Sequence, residues 1–256
     1  MDRKEYWNEK YVKYWKEKVS ASNDNNVEDV TRGDSKTTSD EQMYELLEKV
    51  PYHDDNKVLD FGCGFGRLYD YLIRKRQQYY GVDISSAMID EFSKQHPEAT
   101  ESLFVSEGEA LPFEDNTFSL IVCYGVFDAC YQEKALQEML RVCSDYGHVV
   151  LTGKNKLYFP DDEGAIVAEE NARKKGHPNF FTDVSEMKKQ LQYKKVDIIY
   201  ESYYLRRADM ETGKKVVREP EKFYAWEMIL QKKDDSIISD FSSFSSLYSK
   251  TWDNIK

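Results

Sequence analysis

The sequence predicts an α/β fold: a seven-stranded, mostly parallel sheet with helices on both faces. Three observations carry this. Between Lys57 and Thr152 short apolar runs alternate with stretches of helical periodicity, as in a parallel sheet wound through helices. A glycine-rich turn, Gly62 to Gly66, joins the first run to its helix. An acid, Asp83, ends the second run.

The elements follow in order. Trp7, Tyr11 and Tyr14 fall on one face of an N-terminal helix within residues 1–20. Residues 21–36 are polar and turn-rich. Ser39 with Gln42 three residues on is a capping-box signal, and Met43, Leu46, Leu47 and Val50 then keep helical spacing up to Pro51. Val58–Phe61 is the first strand, Arg67–Arg76 a helix, Tyr79–Ile84 the second strand, and Ser85 caps a helix to about Gln95. Leu103–Ser106 and Phe118–Tyr124 are strands three and four. Lys134–Cys143 is a helix with Leu136, Met139 and Leu140 on one face, and His148–Thr152 is strand five. After Gly153 the rhythm changes. Helices over Asp161–Lys175 and Asp183–Tyr193 flank a loop, Gly176–Phe181, before two last strands, Val196–Leu205 and Phe223–Gln231. The serine-rich end reads as a peripheral appendage.

At 256 residues the chain suits one α/β domain with decorations. Its net charge of -11 argues against a nucleic-acid partner, which needs a basic face to neutralise phosphates. No apolar run approaches the ~18 residues of a membrane span, and Met1–Lys10 lacks a signal peptide's apolar core. The expectation is a cytoplasmic protein with no membrane partner. Cys63, Cys123, Cys130 and Cys143 form no CxxC pair and lie in apolar segments, as buried free thiols of a reducing compartment do. No metal cluster is indicated.

Glycines at 62, 64 and 66 let the backbone turn sharply and a ligand approach it, in front of a helix N-terminus with unpaired N–H groups. Asp83 is placed to accept hydrogen bonds from both hydroxyls of a ribose. A dinucleotide fingerprint would put its third glycine at position 67, which is Arg67. The run Asp60-Phe61-Gly62-Cys63-Gly64-Phe65-Gly66 instead resembles motif I of the class I S-adenosylmethionine-dependent methyltransferases. Gly81-Val82-Asp83-Ile84-Ser85 resembles that family's second-strand motif. Glu107-Gly108-Glu109-Ala110-Leu111-Pro112-Phe113 resembles its DAexLPF segment, with Glu for the usual Asp and Gly for the usual Ala. Phe118–Cys123 and Glu138–Val142 resemble its fourth strand and the helix before the fifth. Together these matches cover roughly residues 55–153.

The resemblance implies a Rossmann-like sheet of order 3-2-1-4-5-7-6 with the last strand antiparallel. It also implies a helical lid at 1–50, a domain at 51–233 with a cap insertion at about 154–195, and a C-terminal appendage at 234–256. It implies S-adenosylmethionine as cofactor and S-adenosylhomocysteine as product. By the family's pattern Asp60, Gly62, Gly64 and Gly66 hold the amino-acid end, Asp83 and Ile84 the ribose side, Glu107 and Gly108 the adenine. Tyr124 lies at the cofactor's edge and Tyr11 on a lid helix. That opening helix is similar to those of bacterial members that methylate small molecules, including enzymes of surface-polysaccharide pathways.

Ligands of open α/β sheets bind beyond the carboxyl ends of the strands. Asp128, after the fourth strand, is a candidate base or substrate-orienting group, or else a helix N-cap. His177, in a Gly/Pro loop, is a candidate proton acceptor or a packing residue. Lys154, Arg206 and Arg207 are suited to an anionic substrate, and Tyr158 and Tyr224 to a ring or sugar pocket; for each of these a structural role is the alternative. The functional expectation is methyl transfer to an oxygen of an anionic or sugar-like small molecule. The alternatives are a non-catalytic binding module, for which the cofactor motif is undamaged, and a methyltransferase acting on a macromolecule. An oxidoreductase lacks its glycine spacing.

Overall fold

The computed structural model describes residues 3–13, 40–51, 57–75 and 78–247. Seven strands form the main sheet: β1 (Lys57–Phe61), β2 (Gln78–Asp83), β3 (Leu103–Val105), β4 (Phe118–Cys123), β5 (Cys143–Lys154), β7 (Asp197–Tyr204) and β8 (Ala225–Gln231). Their order is β3-β2-β1-β4-β5-β8-β7. The first five pair in parallel, and β8 runs antiparallel to both β5 and β7. Counting only the strands of this sheet, the order is the expected 3-2-1-4-5-7-6. The extra strand in the numbering is β6 (Phe180–Thr182), which pairs antiparallel with β9 (Ser245–Leu247) in a small second sheet.

The central strands are buried on both faces, so alternate side chains enter two cores. Val58, Val122, Val150 and Ile229 pack under the helices α1 (Asp40–Leu47), α2 (Tyr69–Arg74) and α3 (Ser86–Gln95). Leu59, Ile121, Val149 and Met228 pack on the other face under α4 (Gln132–Val142) and α6 (Val184–Tyr193). The α4 stripe of Ala135, Leu136, Met139 and Leu140 is wholly buried, which is why this helix reads so clearly in the sequence.

Between β5 and β7 stand α5 (Glu163–Lys175), β6 and α6. Asp162 caps α5 by accepting from Ala165 N, and Gly176 closes it in the left-handed conformation with φ 73°. The stretch read as a loop ends in strand β6, because Phe180–Thr182 finds a partner more than sixty residues on, at Ser245–Leu247. Glu133 of α4 fixes that partner. Its Oε1 accepts from Phe244 N and Ser245 N, both at 2.7 Å, and its Oε2 from Ser245 Oγ at 2.8 Å. Phe244 is buried in the core beneath.

Smaller differences have local causes. The helix read from Arg67 starts at Tyr69, since residues 64–68 form turns. Arg206 and Arg207 follow β7 after Leu205. Asp209 accepts from Arg206 N at 2.9 Å and starts a short helix, α7 (Arg207–Thr212). Ser39, Tyr14 and the loop 21–36 lie outside the described residues. Among the described residues no helix is long and apolar enough to cross a membrane.

Candidate cofactor and acceptor site

The sheet order reverses between β1 and β4, and the crevice there is where such sheets receive ligands. The glycine loop leaves β1 on one side of it, and Tyr124–Asp128 leaves β4 on the other. Gly62, Gly64 and Gly66 have φ of 76°, 53° and 85°, a left-handed path that side chains resist. Val82 O holds the loop by accepting from Gly62 N at 2.7 Å and Cys63 N at 3.0 Å. Asp83 ties two loops together: Oδ2 accepts from Gly64 N at 3.0 Å and Oδ1 from Ser85 N at 2.8 Å. Below it, Asp60 is buried and accepts from Tyr79 Oη at 2.9 Å.

The loop leaves room where a ligand needs it. A methyl group added at Gly64 would meet only Met88 Sδ, at 3.8 Å, and one at Gly125 would meet nothing within 4 Å. Gly108 is constrained differently. A Cβ there would lie 2.1 Å from Cζ of the buried Phe61 ring, so this chain needs glycine where the methyltransferase pattern has alanine. Glu107 beside it is mostly exposed, with Arg3 3.9 Å away.

Residues 3–13 roof this crevice. The segment contains a π-helix, Tyr6–Tyr11, with Trp7 and Tyr11 edge to face at 4.7 Å. On the β2 side, Asn8 Oδ1 accepts from Ser85 Oγ at 3.0 Å and from Ala87 N at 3.4 Å. On the β4 side, Arg3 forms a two-pronged bridge to Glu109 at 2.5 and 2.6 Å and lies 4.8 Å over the Tyr131 ring. Tyr6 Oη lies 3.2 Å from His177 Nδ1, and the His177 ring packs on Trp7 at 5.2 Å. Sequence reasoning found the helix and missed its latch, because nothing local relates Arg3 to Glu109.

A second polar cluster is built on Lys154, at the end of β5. Its ammonium lies 3.1 Å from Asp128 Oδ2, 3.1 Å from Glu169 Oε1 and 3.2 Å from Asn179 Oδ1. Glu169 is 1% exposed, and its Oε1 also accepts from Tyr224 Oη at 2.6 Å. Its Oε2 accepts from Asn179 Nδ2. Burial alone would lower the Lys154 pKa, but Glu169, Tyr224 and Asp128 hold it well above the ordinary value. Asp128 lies in a short turn, Phe127–Ala129, and α4 starts only after Tyr131; the N-cap alternative therefore fails.

The other expected substrate residues are placed less openly. Tyr158 and Tyr224 are 2% and 0% exposed and pack together against Phe181 and Tyr204. They are core residues of the cap rather than pocket walls, because their rings fill the space between α5 and β8. Arg206 stacks on Phe159 and pairs with both oxygens of Asp161 at 3.1 Å. Arg207 Nη1 reaches Tyr224 Oη at 3.4 Å. Glu169 was not expected. Its signal is an acid one helical turn after the small, buried Ala165 on α5.

Residues 59–151 match the model of a methyltransferase domain. Over these residues the chain is similar to that domain. The open backbone at Gly64 and Gly125 fits S-adenosylmethionine, the cofactor that the sequence motifs imply. The demethylmenaquinone methyltransferase of Chlamydia trachomatis is 35% identical over 97 residues, which are 37% of this chain and 42% of that protein. A Bos taurus protein named 18S rRNA (guanine-N(7))-methyltransferase is 34% identical over 88 residues, 34% of this chain and 28% of that one. The YcgJ protein of Bacillus subtilis superposes with a TM-score of 0.55 at 18% identity, covering 77% of this chain and 100% of that one. The chain spans about half or less of the length of the curated relatives it matches. One of these is named for an RNA, so the expected exclusion of nucleic acid gains no support from them.

Two carboxylates at the glycine loop are held above their ordinary pKa. Burial pushes Asp60 up to about 7 against the pull of the Tyr79 hydroxyl. Burial also pushes Asp83 up to about 6, against the N–H groups of Ser85 and Gly64. The folded chain therefore binds more protons than the unfolded chain between about pH 4 and pH 7. The stability of the ligand-free protein should fall as pH rises through that window. His177, held down to about 4 by burial and then by Lys154, works in the opposite sense between about pH 6.5 and 4. Melting curves of the wild type and Asp60→Asn across this range isolate the Asp60 share. The variant should gain on the wild type as pH rises, and parallel curves would remove the shift.

Proposed function

We propose that the chain transfers the methyl group of S-adenosylmethionine to a hydroxyl or amine of a small-molecule acceptor. One observation carries this. At a single crevice a glycine loop tied to Asp83 faces the Asp128–Lys154 pair, beneath the roof of residues 3–13.

Asp60 and the three glycines would hold the methionine end, Asp83 and Ile84 the ribose side, and Glu107 with Gly108 the adenine. Tyr124 and Tyr11 would border the cofactor. When bound, it supplies an electrophilic methyl group whose carbon–sulfur bond breaks with the electron pair left on sulfur. The chain's share is orientation, which is worth ~7–11 kcal/mol in well-aligned systems. Asp128 accepts the hydrogen bond of the acceptor's O–H or N–H and then its proton. His177 is neutral at working pH and shares its Nδ1 with Tyr6, so its part is to seat the roof.

The test offers methyl-labelled cofactor to the full chain with three pools: small-molecule extract, total RNA and total protein. Label should enter the small-molecule pool as S-adenosylhomocysteine forms. Label confined to RNA or protein would overturn the small-molecule acceptor.

A further inference from the structure

The Lys154 site has a charge balance that selects among acceptors. An ammonium has three N–H donors. The Lys154 ammonium lies 3.1 Å from each of the Asp128 and Glu169 carboxylates and donates to Asn179 Oδ1 at 3.2 Å, so its charge is already met before any anion arrives. Arg206 is held by Asp161. Arg207 lies against Tyr224, and its own backbone N–H donates to buried Asp162 at 2.8 Å. Summed over Asp128, Glu169, Asp162, Lys154 and Arg207, the cluster carries one net negative charge. His177 adds none while neutral, and Lys175 is exposed at the outer end of α5.

Glu169 uses both oxygens within this cluster and is sealed from solvent. Asp128 is different. Its side chain is 14% exposed, and among the described residues only its Oδ2 is engaged, leaving Oδ1 to a ligand. The nearby rings of Tyr131 and Phe180, edge to face at 5.5 Å, suit an apolar or aromatic skeleton.

We infer that the acceptor is a neutral or cationic molecule whose hydroxyl or amine donates to Asp128, and that Glu169 is the positioning residue that sets this selectivity by neutralising Lys154. This rests on the proposed methyl transfer and replaces the anionic acceptor that the sequence suggested. Paired with Glu169, Lys154 orients Asp128 without attracting carboxylates or phosphates. With the Glu169 charge removed, the same ammonium becomes an anion site.

The test uses three probes on one skeleton: phenethylamine, 2-phenylethanol and phenylacetate. Each is titrated calorimetrically into the full chain saturated with S-adenosylhomocysteine. The wild type should bind the amine best, the alcohol next, and phenylacetate at least ~10-fold more weakly than the amine. Glu169→Gln should shrink the amine-to-carboxylate ratio at least ~10-fold or invert it, a change that loosened packing alone does not produce. Asp128→Asn removes the same unit of charge and should collapse the ratio too, so the idea stays testable if the Glu169 variant does not fold. A wild type that prefers phenylacetate, an unchanged ratio in the variants, or no binding of any probe at millimolar concentration overturns the inference. Absence of S-adenosylhomocysteine binding in the first titration is a separate failure, that of methyl transfer itself, and the inference falls with it.

Discussion

Asp83→Ala should weaken S-adenosylmethionine binding more than tenfold. A hydrogen bond to a charged group is worth roughly 1.5–3 kcal/mol, and the carboxylate is proposed to accept from the ribose. The structure adds a second loss. Asp83 is the common acceptor for Gly64 N and Ser85 N, so alanine also releases the glycine loop from the turn capped by Ser85. Asn8 of the roof docks on that same serine. Affinity and melting temperature should therefore fall together in the alanine variant. Asp83→Asn keeps one oxygen acceptor, and its melting temperature should fall less. Calorimetry with the cofactor and a thermal melt separate the two. Unchanged affinity in Asp83→Ala would remove this residue from the cofactor site.

Gly66→Ala should be the most destabilising change in the loop. Its φ of 85° lies in the left-handed region, and its Cβ would stand 2.5 to 2.9 Å from three atoms of the Phe92 ring. Phe92 is fully buried, so the ring has nowhere to retreat. The backbone strain costs roughly 1–3 kcal/mol, and overpacking a core site adds roughly 1–3 kcal/mol. At about 2–4 °C per kcal/mol for a chain of this size, the melting temperature should drop on the order of 10 °C. Gly64→Ala is the control. Its Cβ meets only Met88 Sδ at 3.8 Å, which leaves the backbone term alone. Equal losses in the two variants would contradict the packing described for Phe92.

What was legible in the sequence is what local periodicity and local chemistry encode. The glycine loop, Asp83 and the Ser85 cap are short-range features, and the strands from Val58 to Thr152 alternate with helices whose buried stripes repeat along the chain. The rest depends on distance. Strand β6 exists through a segment more than sixty residues away, and no turn signal marks that pairing. Arg3 meets Glu109, and Lys154 meets Asp128 and Glu169, across gaps that only the folded sheet closes. The anionic acceptor was expected from the basic residues Lys154, Arg206 and Arg207, whose carboxylate partners Glu169 and Asp161 stand elsewhere in the sequence. The family pattern has alanine at Gly108, and the packing of Phe61 beneath it explains the exception.

The most direct test is calorimetric titration of the full chain with S-adenosylmethionine, S-adenosylhomocysteine and NADH. Micromolar binding of the first two, with no heat from NADH, is the predicted result. NADH binding, or silence from both adenosyl compounds, would contradict the placement of the cofactor at the glycine loop and Asp83.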